Sequence, residues 1–126
     1  MKLFSVEEAN ALLPTVRRIV SGMARAYARV SASQDGSRGA AELAKTTGGG
    51  YMTNGASYVG ALLALAERAG QLEALGIQLK DYERGLIDFP AMRDGRVVLL
   101  CWQLGEGDRI EWWHDLETGF AGRQPL

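Results

Sequence analysis

Apolar residues in the first third of the chain recur at intervals of three and four, which is the spacing of one helix face. The series runs from Ala9 to Val30. Ser5 and Glu8 precede it in the pattern of a capping box, in which each side chain can bond to the other residue's backbone amide. We therefore predict a helix from about Val6 to Ser31.

A second series of apolar residues with helical spacing begins near Ser57 and ends at Leu75. Gly76 follows directly, where a residue in the left-handed conformation can end the helix. Ile77 can then fold back onto Leu72, which is the apolar contact of a Schellman stop. The pattern predicts a second helix over Ser57–Leu75.

The residues between these two helices are rich in glycine, serine, threonine and asparagine. We predict a long flexible loop over residues 33–56, with a short helical piece as an alternative at Ala40–Lys45. Because the two predicted helices flank this loop, residues 5–76 are expected to form a long antiparallel helical hairpin.

After Gly76 the hydrophobic period changes from helical to extended. Leu86–Met92, Arg96–Leu104 and Arg109–His114 are predicted as strands, and Asp94-Gly95 has the composition of a two-residue hairpin turn. Pro90 lacks an amide donor, which predicts an edge position for the first of these strands.

These elements predict an α+β fold. Residues 1–126 would form a single domain in which the helical hairpin is followed, over residues 77–126, by a three-stranded antiparallel β-meander and an ordered C-terminal tail.

The two-residue turn also fixes which residues share a face of the sheet. It places Phe89 opposite Leu100 and Ile87 opposite Trp102, and we assign the face that carries them to the helices. The other face is still largely apolar, so it requires a cover: the tail, the glycine-rich loop or a second copy. We favour a symmetric homodimer through this side. The residues of this second face are predicted to be Leu86, Asp88, Met92, Val97, Leu99, Cys101, Gln103, Ile110, Trp112 and His114. For residues 109–114 the opposite parity stays open, because the sequence defines the second turn less well than the first.

Composition and charge exclude several classes of protein. Hydrophobic residues make up 47% and charged residues 23%, values typical of folded soluble domains. The formal charge is only −1. Residues 1–45 carry seven basic and four acidic residues, and the rest of the chain carries seven and eleven. The acidic strand region argues against nucleic acid as a partner, although Trp102, Trp112 and Trp113 could stack on bases.

Neither a signal-peptide pattern nor an apolar run long enough to cross a membrane is present in the sequence. The single cysteine excludes an intrachain disulfide and suits a reducing compartment. We therefore expect a cytoplasmic protein without membrane contact.

Candidate chemistry concentrates on the second face of the predicted sheet. Asp88, Cys101 and His114 could form a nucleophile, base and orienting group, but a lone cysteine and a lone histidine in apolar strands are usually structural. Together with Trp112 and Arg123, they form a candidate site for a small anionic ligand. No catalytic residue and no cofactor is assigned.

A divalent metal is the alternative ligand. His114, Asp115 and Glu117 supply the metal-binding residue types within four positions, and Glu106 or Glu111 could add a carboxylate. Their spacing matches no established zinc motif, and His114 and Asp115 should point to opposite faces of an extended strand.

A polar stripe with three arginines marks the outer face of the first helix: Arg18, Ser21, Arg25 and Arg29. We interpret it as a solvated face. Contact with an anion or an acidic partner is the functional alternative.

Five segments of the chain form a distinctive combination: Phe4-Ser5-Val6-Glu7-Glu8-Ala9-Asn10-Ala11-Leu12-Leu13-Pro14, Leu79-Lys80-Asp81, Gly85-Leu86-Ile87-Asp88-Phe89-Pro90, Leu100-Cys101-Trp102-Gln103-Leu104-Gly105-Glu106 and residues 113–126. Together they resemble a small prokaryotic family catalogued as domain of unknown function 2203. The resemblance covers both ends of the chain and most of the strand region, and residues 33–56 lie outside it. It implies family membership, but no activity or residue role.

From the sequence we expect a non-enzymatic cytoplasmic module that self-associates or binds a small ligand. A metal-binding protein or metal-dependent enzyme that uses His114 and nearby carboxylates is the alternative.

Overall fold

A computed structural model of the chain describes the backbone of residues 1–47 and 51–126, and the side chains of residues 1–32 and 56–126. Two helices precede a five-stranded antiparallel sheet whose strands follow one another in chain order, so the α+β class is confirmed. The elements are α1 (Val6–Thr47), α2 (Tyr51–Leu75), β1 (Gln78–Asp81), β2 (Leu86–Arg93), β3 (Arg96–Trp102), β4 (Trp112–Asp115), a 3-10 helix (Phe120–Gly122) and β5 (Gln124–Pro125).

Both helices extend beyond their predicted ends, into the segment for which we expected a loop. The loop prediction over 33–56 is wrong for residues 33–47 and 51–56, which are helical, and residues 48–50 lie outside the described residues. Lengthening an existing helix does not repeat the cost of nucleation. The good helix formers of Ala40–Lys45 therefore outweigh the roughly 1 kcal/mol cost of each nearby glycine.

The predicted capping box at the start of α1 and the predicted glycine stop at the end of α2 are both confirmed. The Ser5 amide donates to Glu8 Oε1 at 3.2 Å, and the Glu8 amide donates to Ser5 Oγ at 3.0 Å. At the end of α2, Gly76 has φ +85° and its amide donates to the Glu73 carbonyl at 2.9 Å. The Ile77 amide donates to the Leu72 carbonyl at 3.0 Å, which completes the Schellman motif.

The two helices pack side by side in opposite directions. Gly22 of α1 lies against the side chain of Arg68 of α2, and Gly76 lies against Lys2 near the start of the chain. Their shared core continues onto the sheet, where the largest fully buried side chains include Phe89 and Trp102.

The register of the central hairpin is confirmed. Phe89 pairs with Leu100 and Ile87 with Trp102. Asp94 and Gly95 have φ of 51° and 78°, as the two central positions of a type I′ turn require. The face assigned to the helices is buried against them, and Trp113 joins it.

The expected three-stranded meander is wrong in its number of strands. β1 and β5 hold four and two residues, too few for a period of two to be recognised in the sequence. Because β1 pairs with β2, the edge position expected for β2 is also wrong. Pro90 lies beyond the paired stretch, which reaches only Asp88, and its carbonyl accepts instead from the Phe4 amide at 2.7 Å.

The strand predicted over Arg109–His114 begins only at Trp112. The Ile110 amide donates to Asn10 Oδ1 of α1 at 2.6 Å, and the Ile110 side chain is buried in the core with the helices. Its predicted place on the second face is therefore wrong, because the bond to Asn10 draws this segment towards α1.

The second face of the sheet is covered by the chain's own C-terminal tail. Leu116, Gly119 and Phe120 lie over it, and Leu99 beneath them is only 2% exposed. The tail covers the centre of this face, so Leu99 and Cys101, which motivated a homodimer, are not exposed, whereas Met92 near the turn is 56% exposed. Within residues 1–47 and 51–126, neither helix combines the length and hydropathy that crossing a bilayer requires.

Gly85 provides a test of how tightly the sheet is packed on α1. It has φ +61°, and a Cβ at this position would lie 2.9 Å from Leu104 Cβ and 3.4 Å from Val20 Cβ. We expect Gly85→Ala to lower the free energy of unfolding by about 2 to 3 kcal/mol, measured by urea denaturation.

Gly105→Ala is the matched control, because Gly105 also has positive φ (+97°) but has no atom within 4 Å of the added methyl. It should cost only about 1 kcal/mol. Equal losses in the two variants would contradict close packing at Gly85.

Candidate functional site

The sheet register brings three chemically active side chains together on the covered face. Asp88 of β2 lies directly opposite Cys101 of β3, and His114 of β4 lies opposite Leu99, two residues from Cys101 on the same face. All three are buried, with exposures of 1%, 0% and 2% for Asp88, Cys101 and His114. One carboxylate oxygen, the thiol sulfur and one ring nitrogen lie within 4.8 Å of one another.

His114 is held by acceptors at both ring nitrogens. Its Nδ1 lies 2.7 Å from the Asp115 carbonyl oxygen, and Nε2 lies 3.1 Å and 3.2 Å from the two carboxylate oxygens of Asp88. An N–H at Nδ1 satisfies the carbonyl. The contact between Nε2 and the Asp88 carboxylate then requires either a second ring proton or a cation bound between the two groups.

Cys101 is protonated in the metal-free protein. Burial raises the pKa of its thiol from 9.0 to about 12. The negative charge of Asp88 acts in the same direction, while the Arg123 guanidinium opposes it. A thiol in this state is a poor nucleophile, because the thiolate is the reactive form.

The order of the three groups also differs from that of a nucleophile–base–orienter triad. In such a triad, the imidazole lies between the nucleophile and the acid. Here Nε2 of His114 is directed at Asp88, and Asp88 lies across from Cys101. The arrangement therefore favours three convergent ligands over a catalytic cysteine.

The three side chains line a cavity of about 140 Å³ between the sheet and the tail. Lys80 of β1 stands at its rim, with its Nζ 4.0 Å from Asp88 Oδ2 and its side chain 42% exposed. Leu116 and Phe120 form the tail side. Cavities for organic ligands usually hold about 300–1,000 Å³, so this one is suited to an ion with a few waters.

The set His114, Asp115 and Glu117 is not brought together. Asp115 turns away from His114 and pairs with Arg96, whose Nε lies 3.0 Å from Asp115 Oδ1. Glu117 is exposed on the tail. The alternation of a strand predicts this separation of neighbours, and the carboxylate beside His114 comes instead from Asp88 on another strand.

Arg123 and Trp112 lie outside the lining of this cavity. One guanidinium nitrogen of Arg123 donates to both carboxylate oxygens of Glu106 at 2.8 Å. The same guanidinium lies 4.9 Å from the Trp112 ring centre and 4.6 Å from that of Phe120. The carboxylate that Arg123 binds is therefore Glu106, not a small anionic ligand. Arg123 therefore fastens the tail to the sheet.

Two residues that line this cavity, Lys80 and Phe120, were not predicted from the sequence to lie there. Lys80 lies on β1, which is too short to show a pattern. Phe120 follows Gly119, whose φ of +63° helps to turn the tail back over the sheet. The glycine was a usable signal of a turn, although the direction of that turn depends on tertiary contacts.

The chain belongs to the family described as uncharacterized conserved protein (DUF2203), which matches residues 2–126. Neither the curated proteins nor the solved structures include a match to it.

The raised pKa of Cys101 predicts how stability depends on pH. Between pH 9 and 12 the unfolded chain loses the thiol proton while the folded chain retains it, so the folded state is disfavoured as pH rises. In the presence of a chelator, we expect the unfolding free energy of the wild type, relative to Cys101→Ala, to fall by about 1.4 kcal/mol per pH unit in this window.

Urea denaturation of both proteins from pH 8 to 11 measures this difference, and the Cys101→Ala reference cancels the titration of lysine and tyrosine. A difference that stays constant with pH would show that Cys101 ionises as easily in the folded chain as in the unfolded one.

Proposed function

We propose that this member of the uncharacterised family binds a divalent transition metal, Zn²⁺ in the first instance, through Asp88, Cys101 and His114. The proposal rests on one observation: an oxygen, a sulfur and a nitrogen donor lie within 4.8 Å of one another in a buried cluster. Thiolate, imidazole and carboxylate are the three ligand types of zinc sites, whereas Mg²⁺ and Ca²⁺ prefer oxygen.

The hydrogen bonding of His114 supports a role as ligand. Metal-binding histidines usually donate their other ring N–H to a carbonyl or carboxylate, which orients the ring. Nδ1 has such a partner in the Asp115 carbonyl at 2.7 Å, so Nε2 is the nitrogen turned to Asp88 and the cavity. The donor atoms lie within 4.8 Å of one another, and the widest pair would have to close by about 1 Å to meet around Zn²⁺.

The cavity supports an ion with space for a further ligand. A cavity of about 140 Å³ has room for an ion and a few waters. Three protein ligands leave a fourth zinc position, which a water could fill, as in zinc sites that are not purely structural. The rim position of Lys80 would place a positive charge near that position.

Protonation of Cys101 opposes metal binding, and the ion itself can overcome it. A thiol whose pKa is about 12 has to lose its proton to become a ligand. A divalent ion in contact with the sulfur reverses the local electrostatics and deprotonates a coordinating thiol. Metal binding should therefore release the Cys101 proton.

Metal binding accounts for this cluster better than self-association or a small anion. The tail already covers the face through which a homodimer was expected, and Arg123 already binds Glu106. A homodimer and a cytoplasmic location remain predictions from the sequence, the latter supported by the free thiol of Cys101.

The proposal predicts one bound Zn²⁺ per chain in protein purified without a histidine tag, measured by elemental analysis and by competition with a chromophoric chelator. Asp88→Asn and Cys101→Ser each remove one ligand at nearly constant volume. We expect each variant to bind zinc at least about a hundredfold more weakly. Loss of a residue that only hydrogen-bonds to a ligand already weakens metal binding by about ten- to a hundredfold, and a lost ligand should cost at least as much.

Asp115→Asn is the matched control, because it removes a nearby carboxylate that pairs with Arg96 outside the cluster. It should retain zinc affinity within about twofold, since exposed ion pairs contribute little. Circular dichroism establishes that each variant is folded. Wild-type protein that binds no zinc at stoichiometric concentration, or ligand variants that bind as well as Asp115→Asn, would overturn the proposal.

A further inference from the structure

A second cavity lies away from the sheet, in the groove between α1 and α2. Its volume is about 880 Å³, within the range of small-molecule sites. Ile19 and Leu75 give it apolar walls, and polar side chains line the rest. The candidate metal centre is on the opposite face of the sheet from these helices, so the two sites are independent.

Arginine side chains dominate the polar lining of this groove. Arg17 is engaged elsewhere, with a nitrogen 3.0 Å from Asp108. Arg18, Arg25 and Arg68 also line the groove, and none of the three pairs with a carboxylate among the side chains that the structure describes. The groove therefore concentrates positive charge in a protein whose formal charge is −1.

Gly22 shapes the groove around one of these arginines. A Cβ at Gly22 would lie 2.3 Å from Arg68 Nε and 2.4 Å from Arg68 Cζ. The guanidinium of Arg68 thus rests directly on the backbone of α1, where any other residue would displace it. A helix-interior glycine costs about 1 kcal/mol relative to alanine, and here it allows this close contact.

The three guanidinium groups are spread along the groove. Arg18 and Arg25 are seven residues apart on α1, a rise of about 10 Å, and Arg68 lies at the level of Gly22 between them. Two linked phosphates carry roughly three negative charges, which three guanidinium groups neutralise. Guanidinium is also suited to bidentate bonding to phosphate.

We propose that the groove between α1 and α2 binds a small molecule that carries a diphosphate group, through Arg18, Arg25 and Arg68. Thr15 and Ser21 hydroxyls line the same groove, and Thr15 Oγ1 already accepts a hydrogen bond from Arg18 at 3.2 Å. The volume exceeds that of a bare diphosphate, and the apolar walls are suited to an attached organic group.

Isothermal titration calorimetry with inorganic pyrophosphate, ADP and orthophosphate tests the proposal at low and physiological salt. Pyrophosphate or ADP should bind at least about tenfold more tightly than orthophosphate, because a second phosphate adds charge-assisted bonds. Tighter binding of ADP assigns the groove to an organic diphosphate, and equal binding assigns it to inorganic diphosphate.

Three variants distinguish a specific binding site from non-specific electrostatic attraction of the anion to the protein. Arg68→Gln should weaken pyrophosphate binding about tenfold or more. Gly22→Ala keeps every charge and favours the helix, but displaces Arg68, and should weaken binding severalfold. Arg29→Gln removes an exposed α1 arginine that is outside the groove lining and should change affinity less than about twofold.

Equal losses in Arg68→Gln and Arg29→Gln would show diffuse attraction only and overturn the proposal. Absence of binding by both pyrophosphate and ADP at low salt would also overturn it. Binding of polyglutamate without binding of pyrophosphate would assign the groove to an acidic peptide instead.

Discussion

A buried carboxylate needs a partner, and Asp88 finds one in His114. Both side chains are almost fully withdrawn from solvent, and an isolated charge at this depth would cost several kcal/mol. The contact at 3.1 Å joins β2 to β4 across the intervening strand β3. Because both side chains are withdrawn from bulk solvent, the interaction is stronger here than it would be at the surface.

The position of this contact is set by the turn at Asp94-Gly95. Side chains alternate between the faces of a sheet, so a shift of one residue in the β2–β3 pairing would move Asp88 away from Cys101 and expose the apolar core face. The turn fixes the pairing, and the burial of Phe89 and Trp102 against the helices reinforces it. The same constraint that forms the core therefore assembles the donor cluster on the reverse face.

Much of this arrangement could be predicted from the sequence because it depends on local rules. The capping box at Ser5, the stop at Gly76 and the central hairpin follow from interactions within a few residues, and so does the shared face of Asp88, Cys101 and His114. The length of α1 could not be predicted, because its glycines suggested a loop while the helix formers near them favoured propagation of the helix.

Contacts between segments far apart in the chain could not be predicted from the sequence either. The bond from Ile110 to Asn10 joins residues far apart in the chain, and it moved Ile110 into the core. The tail was one of three covers expected for the second face, but its ion pair with Glu106 joins residues 17 positions apart and is not visible in the local pattern. For the metal site, strand alternation correctly separated His114 from Asp115. The carboxylate that lies beside His114 is Asp88, and its position depends on the pairing of three strands, β2, β3 and β4.

The role of His114 also determines how the covered face is understood. With a proton at Nε2, the cluster is a buried hydrogen-bonded pair that holds three strands together. With a metal there, the same side chains form a site whose assembly depends on the tail. The group between Nε2 and Asp88 differs between these two states, and so does the Cys101 thiol, which loses its proton when it becomes a ligand.

Nitrogen-15 NMR of the imidazole ring tests this account most directly, since His114 is the only histidine in the chain. In metal-free protein, we expect protons on both ring nitrogens, because both face acceptors. One equivalent of Zn²⁺ should remove the Nε2 proton and leave the Nδ1 proton on the Asp115 carbonyl in place. Persistence of the Nε2 proton at saturating zinc, or loss of the proton from Nδ1 instead, would contradict the account.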